Sequence, residues 1–100
     1  MKVYQLHIGA NSADGTISPG LEKHIQAVVV KEFESFSLLR GKGVFRGKAE
    51  DLVIVKIATD READVYRLAS RIRIELNQEG VGVEHDGHYT RVVSCAGDTH

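Results

Sequence analysis

Apolar and polar positions change their period several times along this chain, and each change marks an element. Over residues 3–8, Tyr4, Leu6 and Ile8 alternate with Gln5 and His7, which predicts a strand with one buried face. Residues 9–18, Gly-Ala-Asn-Ser-Ala-Asp-Gly-Thr-Ile-Ser, are polar and rich in turn formers, hence a loop. Ser18-Pro19 opens a helix: the hydroxyl caps free N–H groups, and proline fits a first turn, where its missing donor costs nothing. Leu21, Ile25, Val28, Val29 and Phe33 then recur at helical spacing. Residues 35–45 return to strand character, with Gly41 and Gly43 predicting a bulge or bend. A third strand over 52–58 runs into Thr59-Asp60-Arg61-Glu62, which reads as a capping box. The helix it starts carries Val65, Leu68, Ala69, Ile72 and Leu76 on one stripe and ends near Asn77-Gln78-Glu79-Gly80. A fourth strand over 80–85 turns through Asp86-Gly87 into a fifth over 89–94, glycine supplying the positive φ of a hairpin.

The order is β-α-β-β-α-β with a C-terminal hairpin extension. It predicts an α+β, ferredoxin-like sandwich in which two helices cover one face of an antiparallel sheet. Residues 1–95 form the expected single domain and 96–100 a tail. In the third strand Val53, Val55 and Ile57 can face the helices, which turns Leu52 and Ile54 to the open face. Burial is worth about 25 cal/mol per Å² of apolar area, so an oligomer packed through its sheets is expected. The alternative is that the hairpin or tail covers those side chains.

Composition narrows the partners. One hundred residues suffice for one core, and 42% hydrophobic with 27% charged residues is a globular balance. Thirteen Lys and Arg against fourteen Asp and Glu give a net charge of −1, which argues against nucleic acid as the main partner. The strand over 52–58 carries no aromatic side chain for stacking on RNA bases. No apolar run approaches membrane-spanning length, Met1-Lys2-Val3-Tyr4-Gln5 does not read as a signal-peptide core, and the single Cys95 fits a reducing compartment. A cytoplasmic location without membrane contact is the expectation.

Candidate chemistry is sparse. The stretch from Gly41 to Lys48 is glycine-dense and basic, but a strand follows it rather than the helix a phosphate loop requires, so it reads as a strand and turn with a solvated basic edge. His85 and His88 flank the Asp86-Gly87 turn and, with His7, are the only metal-ligand combination to consider; surface histidines are the plainer reading, and no metal is expected. No His or Asp is placed by sequence to activate Cys95 as a nucleophile. Glu50-Asp51 precedes the third strand, and adjacent strand residues face opposite ways, so the two cannot act as a facing pair. Strand-entry charge and a polar helix end account for Glu50-Asp51 and Gln78-Glu79 on pattern alone.

The sequence of motifs nevertheless resembles a known family. Val3-Tyr4-Gln5-Leu6-His7-Ile8 with its polar loop, Gly43-Val44-Phe45-Arg46, Glu50-Asp51 before a strand, and Glu75-Leu76-Asn77-Gln78-Glu79-Gly80-Val81 are similar to the phage-encoded S-adenosylmethionine lyases. The resemblance is diffuse and spans residues 4–83. It implies a ferredoxin-like homotrimer with sites between subunits, and a cofactor-free intramolecular cleavage of S-adenosylmethionine to homoserine lactone and 5′-methylthioadenosine. In phage, such a reaction in the host cytoplasm depletes the methyl donor of restriction enzymes. By resemblance, Glu50 or Asp51 matches the family's acidic pair, with Glu50 favoured, and Gln78 matches a glutamine at the end of the second helix. Phe45 stands where the family tends to have tyrosine, and Gly47 where an acid follows the Tyr-Arg pair. Ala10, Asn11, Ser12 and Ala13 would meet the nucleoside or amino-acid end through backbone groups, with Phe45 and Gln78 completing the substrate site.

Two rival readings stay open at this point. One is a non-enzymatic, oligomeric ligand-binding or regulatory module. The other is an interaction protein that recruits a partner chain along a strand edge.

Overall fold

A computed structural model describes residues 1–10 and 14–93. Seven elements follow one another: β1 (Lys2–Gly9), α1 (Pro19–Val30), β2 (Ser37–Phe45), β3 (Lys48–Thr59), α2 (Glu62–Glu75), β4 (Val81–His85) and β5 (His88–Val92). The strands form one antiparallel sheet in the order β2-β3-β1-β4-β5, with both helices on one face. This is the ferredoxin-like α+β arrangement, with β5 as the hairpin extension.

The core lies between sheet and helices. Tyr4, Leu6 and Ile8 from β1 and Val53, Val55 and Ile57 from β3 are fully buried against Ile25, Val28 and Val29 of α1 and Val65, Leu68, Ala69 and Ile72 of α2. Period-2 and period-3.6 stripes therefore meet as the sequence predicts. Ser18 caps α1, its Oγ accepting from the Leu21 N–H at 3.1 Å, with Pro19 in the first turn. Both hairpins turn on two residues of positive φ, Arg46-Gly47 (53° and 78°) and Asp86-Gly87 (53° and 78°), as tight two-residue hairpins require.

Two local expectations are corrected. The predicted capping box is not formed. Thr59 is the last residue of β3, paired with Lys2, and its Oγ1 accepts from the Arg61 N–H at 3.1 Å in a two-residue turn. Arg61 takes the N-cap position without a side-chain cap, and Glu62 instead accepts a hydrogen bond from the Tyr4 hydroxyl at 3.1 Å. A buried phenol needs an acceptor, and that demand outweighs a local helix signal. Nor do Gly41 and Gly43 make a bulge. The β2–β3 register runs unbroken from Ser37↔Lys56 to Phe45↔Lys48. These glycines leave space for neighbouring side chains: a Cβ at Gly43 would stand 3.1 Å from Leu52 Cδ1, and one at Gly41 3.7 Å from Ile54 Cδ1.

The opposite face of the sheet has no helix. Leu52 and Ile54 lie there half-buried, with Leu39 and Val3 more exposed. The β4–β5 hairpin extends the sheet sideways, so it does not cover Leu52 and Ile54. The expected tail (96–100), Ser94 and Cys95 lie outside the described residues. Among the described residues no helix is long and apolar enough to cross a membrane.

Candidate functional site

Register decides which side chains share the open face. Directly paired residues point the same way, so Leu39, Ile54, His7, Gly82 and Arg91 form one row across all five strands. The next row is Gly41, Leu52 and Gly9, and beyond it Glu50 stands opposite Gly43. Glycine on three strands of this face removes side chains where others must lie across the sheet. Leu52 leans over Gly43, the Glu50 carboxylate reaches the space at Gly9 (2.9 Å from Oε1 to an ideal Cβ), and the Tyr89 ring covers Gly82 so closely that any Cβ there would collide with its hydroxyl.

The result is a cleft of about 600 Å³ at one end of the open face, within the usual range for small-ligand sites. Its walls come from the end of β1 (Gly9, Ala10), the β2–β3 hairpin (Gly43, Phe45, Glu50, Leu52), the α2–β4 loop (Asn77–Gly80) and the β4–β5 hairpin (Gly82, Tyr89, Arg91). His7 lines the same cleft; its Nε2 lies 3.2 Å from Glu84 Oε1, and the Tyr89 ring meets it edge-on at 5.8 Å.

The α2–β4 loop is placed by the way α2 ends. Asn77 adopts φ 52°, the Gln78 N–H donates to the Arg73 carbonyl at 2.8 Å, and the Asn77 N–H to the Ile74 carbonyl at 3.3 Å. This is a Schellman ending, with asparagine in the left-handed position usually held by glycine. It folds the Gln78 side chain back into the cleft wall, where the residue is only 8% exposed. The buried Gln78 amide nitrogen has no hydrogen-bond partner among the described residues. A buried donor without an acceptor costs about 1–3 kcal/mol, so an acceptor from a ligand or a neighbouring copy would relieve it.

Glu50 and Asp51 have opposite fates. Glu50 is half-buried in the cleft and makes no ion pair or hydrogen bond with a described residue. Asp51 points to the helix side, where Lys42 Nζ lies 2.8 Å away. The hydrogen bond from Lys42 holds its carboxyl below the usual aspartate range, and the Ile17 backbone N–H adds to this against an opposing desolvation effect. Its own backbone N–H donates to the Gly15 carbonyl at 2.7 Å, tying the loop before α1 to β3.

Of the sequence-designated residues, Glu50, Ala10, Phe45 and Gln78 therefore meet in one cleft, and Asp51 stands apart from it. Asn11 and Ser12, with Ala13, lie outside the described residues. The histidine trio is divided between faces. His7 faces the open side, whereas His85 stacks on buried Tyr4 at 4.4 Å, its Nδ1 3.1 Å from the Val3 carbonyl. Among the described residues no three His, Cys, Asp or Glu side chains converge as metal ligands. Sequence reading did not single out Tyr89 or Arg91. The Asp86-Gly87 turn contained the signal, because a two-residue hairpin sets Arg91 opposite Gly82.

No protein-family model matches the chain, and no curated protein matches it. Solved structures do. The chain superposes on a phage SAM lyase in its apo state with a TM-score of 0.66 and 17% identity, over 93% of this chain and 89% of that one. The fold is that of a phage SAM lyase. A phage SAM lyase in complex with S-methyl-5′-thioadenosine matches equally, at a TM-score of 0.66 and 16% identity over the same shares. The sequence resemblance to the lyase family is thus matched by shared architecture along nearly the whole chain. At such identity the likeness speaks for the fold, and chemistry has to be argued from the cleft.

Proposed function

We propose that this chain is an S-adenosylmethionine lyase. The reading is carried by the cleft beside Glu50, in which a half-buried carboxylate and a buried amide both lack partners among the described residues. The SAM-lyase fold and the methylthioadenosine held by one protein of that fold support it.

The reaction asks little of side chains. The substrate's own carboxylate attacks its γ-carbon, the new C–O bond closes homoserine lactone, and the C–S electron pair returns to sulfur, releasing 5′-methylthioadenosine. No proton is transferred, so neither a general base nor a protein nucleophile is required. Carboxylate and sulfonium lose charge as they meet, and a dry cleft that folds the methionyl chain favours this by orientation and reduced hydration. In this reading Glu50 attracts the sulfonium end and fixes the fold of the chain, and Gln78 donates to a ligand acceptor. Ala10, with Asn11 and Ser12, meets the nucleoside or amino-acid end, and Phe45 supplies an apolar wall without the hydroxyl of a tyrosine. Neighbouring copies, in a homotrimer, would bury Leu39, Leu52 and Ile54 and close the cleft. The reaction would take place in the cytoplasm of a phage-infected host, with no cofactor.

Incubating the protein with S-adenosylmethionine and following methylthioadenosine by chromatography tests the reading. Product well above the spontaneous rate is expected, with Glu50→Gln lowering kcat/KM by about 100-fold and Asp51→Asn retaining activity. Absence of product at high protein concentration removes the lyase reading, and full activity in both variants removes the site. Binding without turnover would assign the fold to a ligand-binding module instead. In sedimentation, a monomer at micromolar concentration would contradict the trimer.

A further inference from the structure

The cleft holds a cation that the proposed chemistry leaves unused. Arg91 lies on β5, opposite Gly82 in the hairpin register, which turns its side chain to the open face. Its guanidinium rests against Gly80: an ideal Cβ there would stand 2.7 Å from Arg91 Cζ and 2.8 Å from Nε, so glycine is what admits it. Glu50 and Glu79 line the same cleft, yet Arg91 makes no ion pair with any described residue. On the helix side, by contrast, arginines are engaged: Arg40 with Glu22, Arg61 and Arg67 with Asp64, and Arg71 with Glu75.

We infer that Arg91 is the carboxylate-recognition residue of the cleft, gripping the amino-acid end of a nucleoside-linked amino acid. The inference rests on the lyase reading and deepens it. Two observations carry it independently of each other. Arg91 and the Gln78 amide both lack acceptors among the described residues of one cleft, and a guanidinium donates a strong, charge-assisted hydrogen bond to a carboxylate oxygen. The charge balance also selects the ligand. Among the described residues two carboxylates, Glu50 and Glu79, and one guanidinium line the cleft, which complements a ligand with two cationic centres and one anionic centre. S-adenosylmethionine has that pattern in its sulfonium, ammonium and carboxylate. A phosphate-bearing ligand would instead meet repulsion from Glu50 and Glu79.

The position also has a kinetic consequence. An arginine holding one carboxylate oxygen leaves the other free to attack the γ-carbon, but it stabilises charge that the transition state loses. Arg91 is therefore a binding and positioning residue: its loss raises KM while kcat stays constant or rises.

Calorimetric titration separates the possibilities, using two nucleosides that cannot be cleaved. S-adenosylhomocysteine keeps the carboxylate, and methylthioadenosine lacks the whole tail. Arg91→Gln is expected to weaken S-adenosylhomocysteine binding by about tenfold or more and to leave methylthioadenosine within about twofold of wild type, with Arg91→Lys recovering part of the loss. Equal losses for both nucleosides overturn the assignment, because they signify a change in cleft shape. Unchanged binding of both by Arg91→Gln overturns it also, and leaves the lyase reading intact. Wild-type protein that binds neither nucleoside overturns both together.

Discussion

The two faces of the sheet are built to different specifications. On the helix side every strand position of β1 and β3 that points inward from Tyr4 to Ile8 and from Val53 to Ile57 is fully buried, and the buried hydroxyl of Tyr4 has Glu62 as acceptor. On the open side, glycines alternate with large residues, apolar side chains stay partly exposed, and a carboxylate, an amide and a guanidinium are left without described partners. Glu50 and Asp51 condense the contrast into adjacent residues, one free in a cleft and the other locked to Lys42. A face packed densely around its own side chains contributes stability; one that leaves several polar groups unsatisfied around a cleft is suited to receiving something else.

Truncation should separate the faces most strongly. Ile57→Ala, on the helix side, is expected to cost about 2–5 kcal/mol in chemical denaturation because the packed core cannot collapse around the missing atoms. Leu39→Ala, on the open side, should stay within about 0.5 kcal/mol in a monomer. A large loss for Leu39→Ala at high protein concentration alone would sharpen the comparison by locating a subunit interface there.

Filling a glycine gives a finer test. In Gly9→Ala the added methyl would lie about where the Glu50 carboxylate now rests, 2.9 Å from Oε1. Glu50 can swing aside at little cost, and the methyl stiffens the unfolded chain, so melting should hold or rise slightly. The kcat/KM for S-adenosylmethionine, whose sulfonium end Glu50 is proposed to attract, should fall nonetheless. An unchanged kcat/KM would mean that the position of Glu50 does not matter to the substrate.

The smallest effect is a pH dependence confined to the helix side. Because the folded Asp51 carboxyl titrates below its unfolded value, its contribution is present above the unfolded pKa, about 3.9 for aspartate, and is lost as pH falls through the folded one. Asp51→Asn should therefore lower stability at pH 7 and make little difference in strong acid, read by urea denaturation at both. A pH-independent difference would mean that the Lys42 pairing is not the source.

Much of the fold was legible because its signals are local. The alternation of Tyr4, Leu6 and Ile8, the helical recurrence of Ile25, Val28 and Val29, and the Asp86-Gly87 turn each depend on a few neighbouring residues. The capping box failed for the complementary reason. Thr59 was claimed by strand pairing with Lys2 and Glu62 by the phenol of Tyr4, 58 positions away in sequence, and neither demand is visible locally. Within the cleft, Glu50, Phe45 and Gln78 were reached through family resemblance. Arg91 was not, since its importance arises only where β5 pairs beside β4.

By itself, then, the sequence determined the kinds and order of the elements and the fact that Glu50 and Asp51 must face apart, because backbone periodicity and turn chemistry act over a few residues. The tertiary structure alone decided which of the two acids faces a cleft, which glycines give way to which side chains, and that Gln78 and Arg91 share one space. Those outcomes depend on strand register across the sheet and on the exit of α2, where a shift of one residue would send every side chain to the other face.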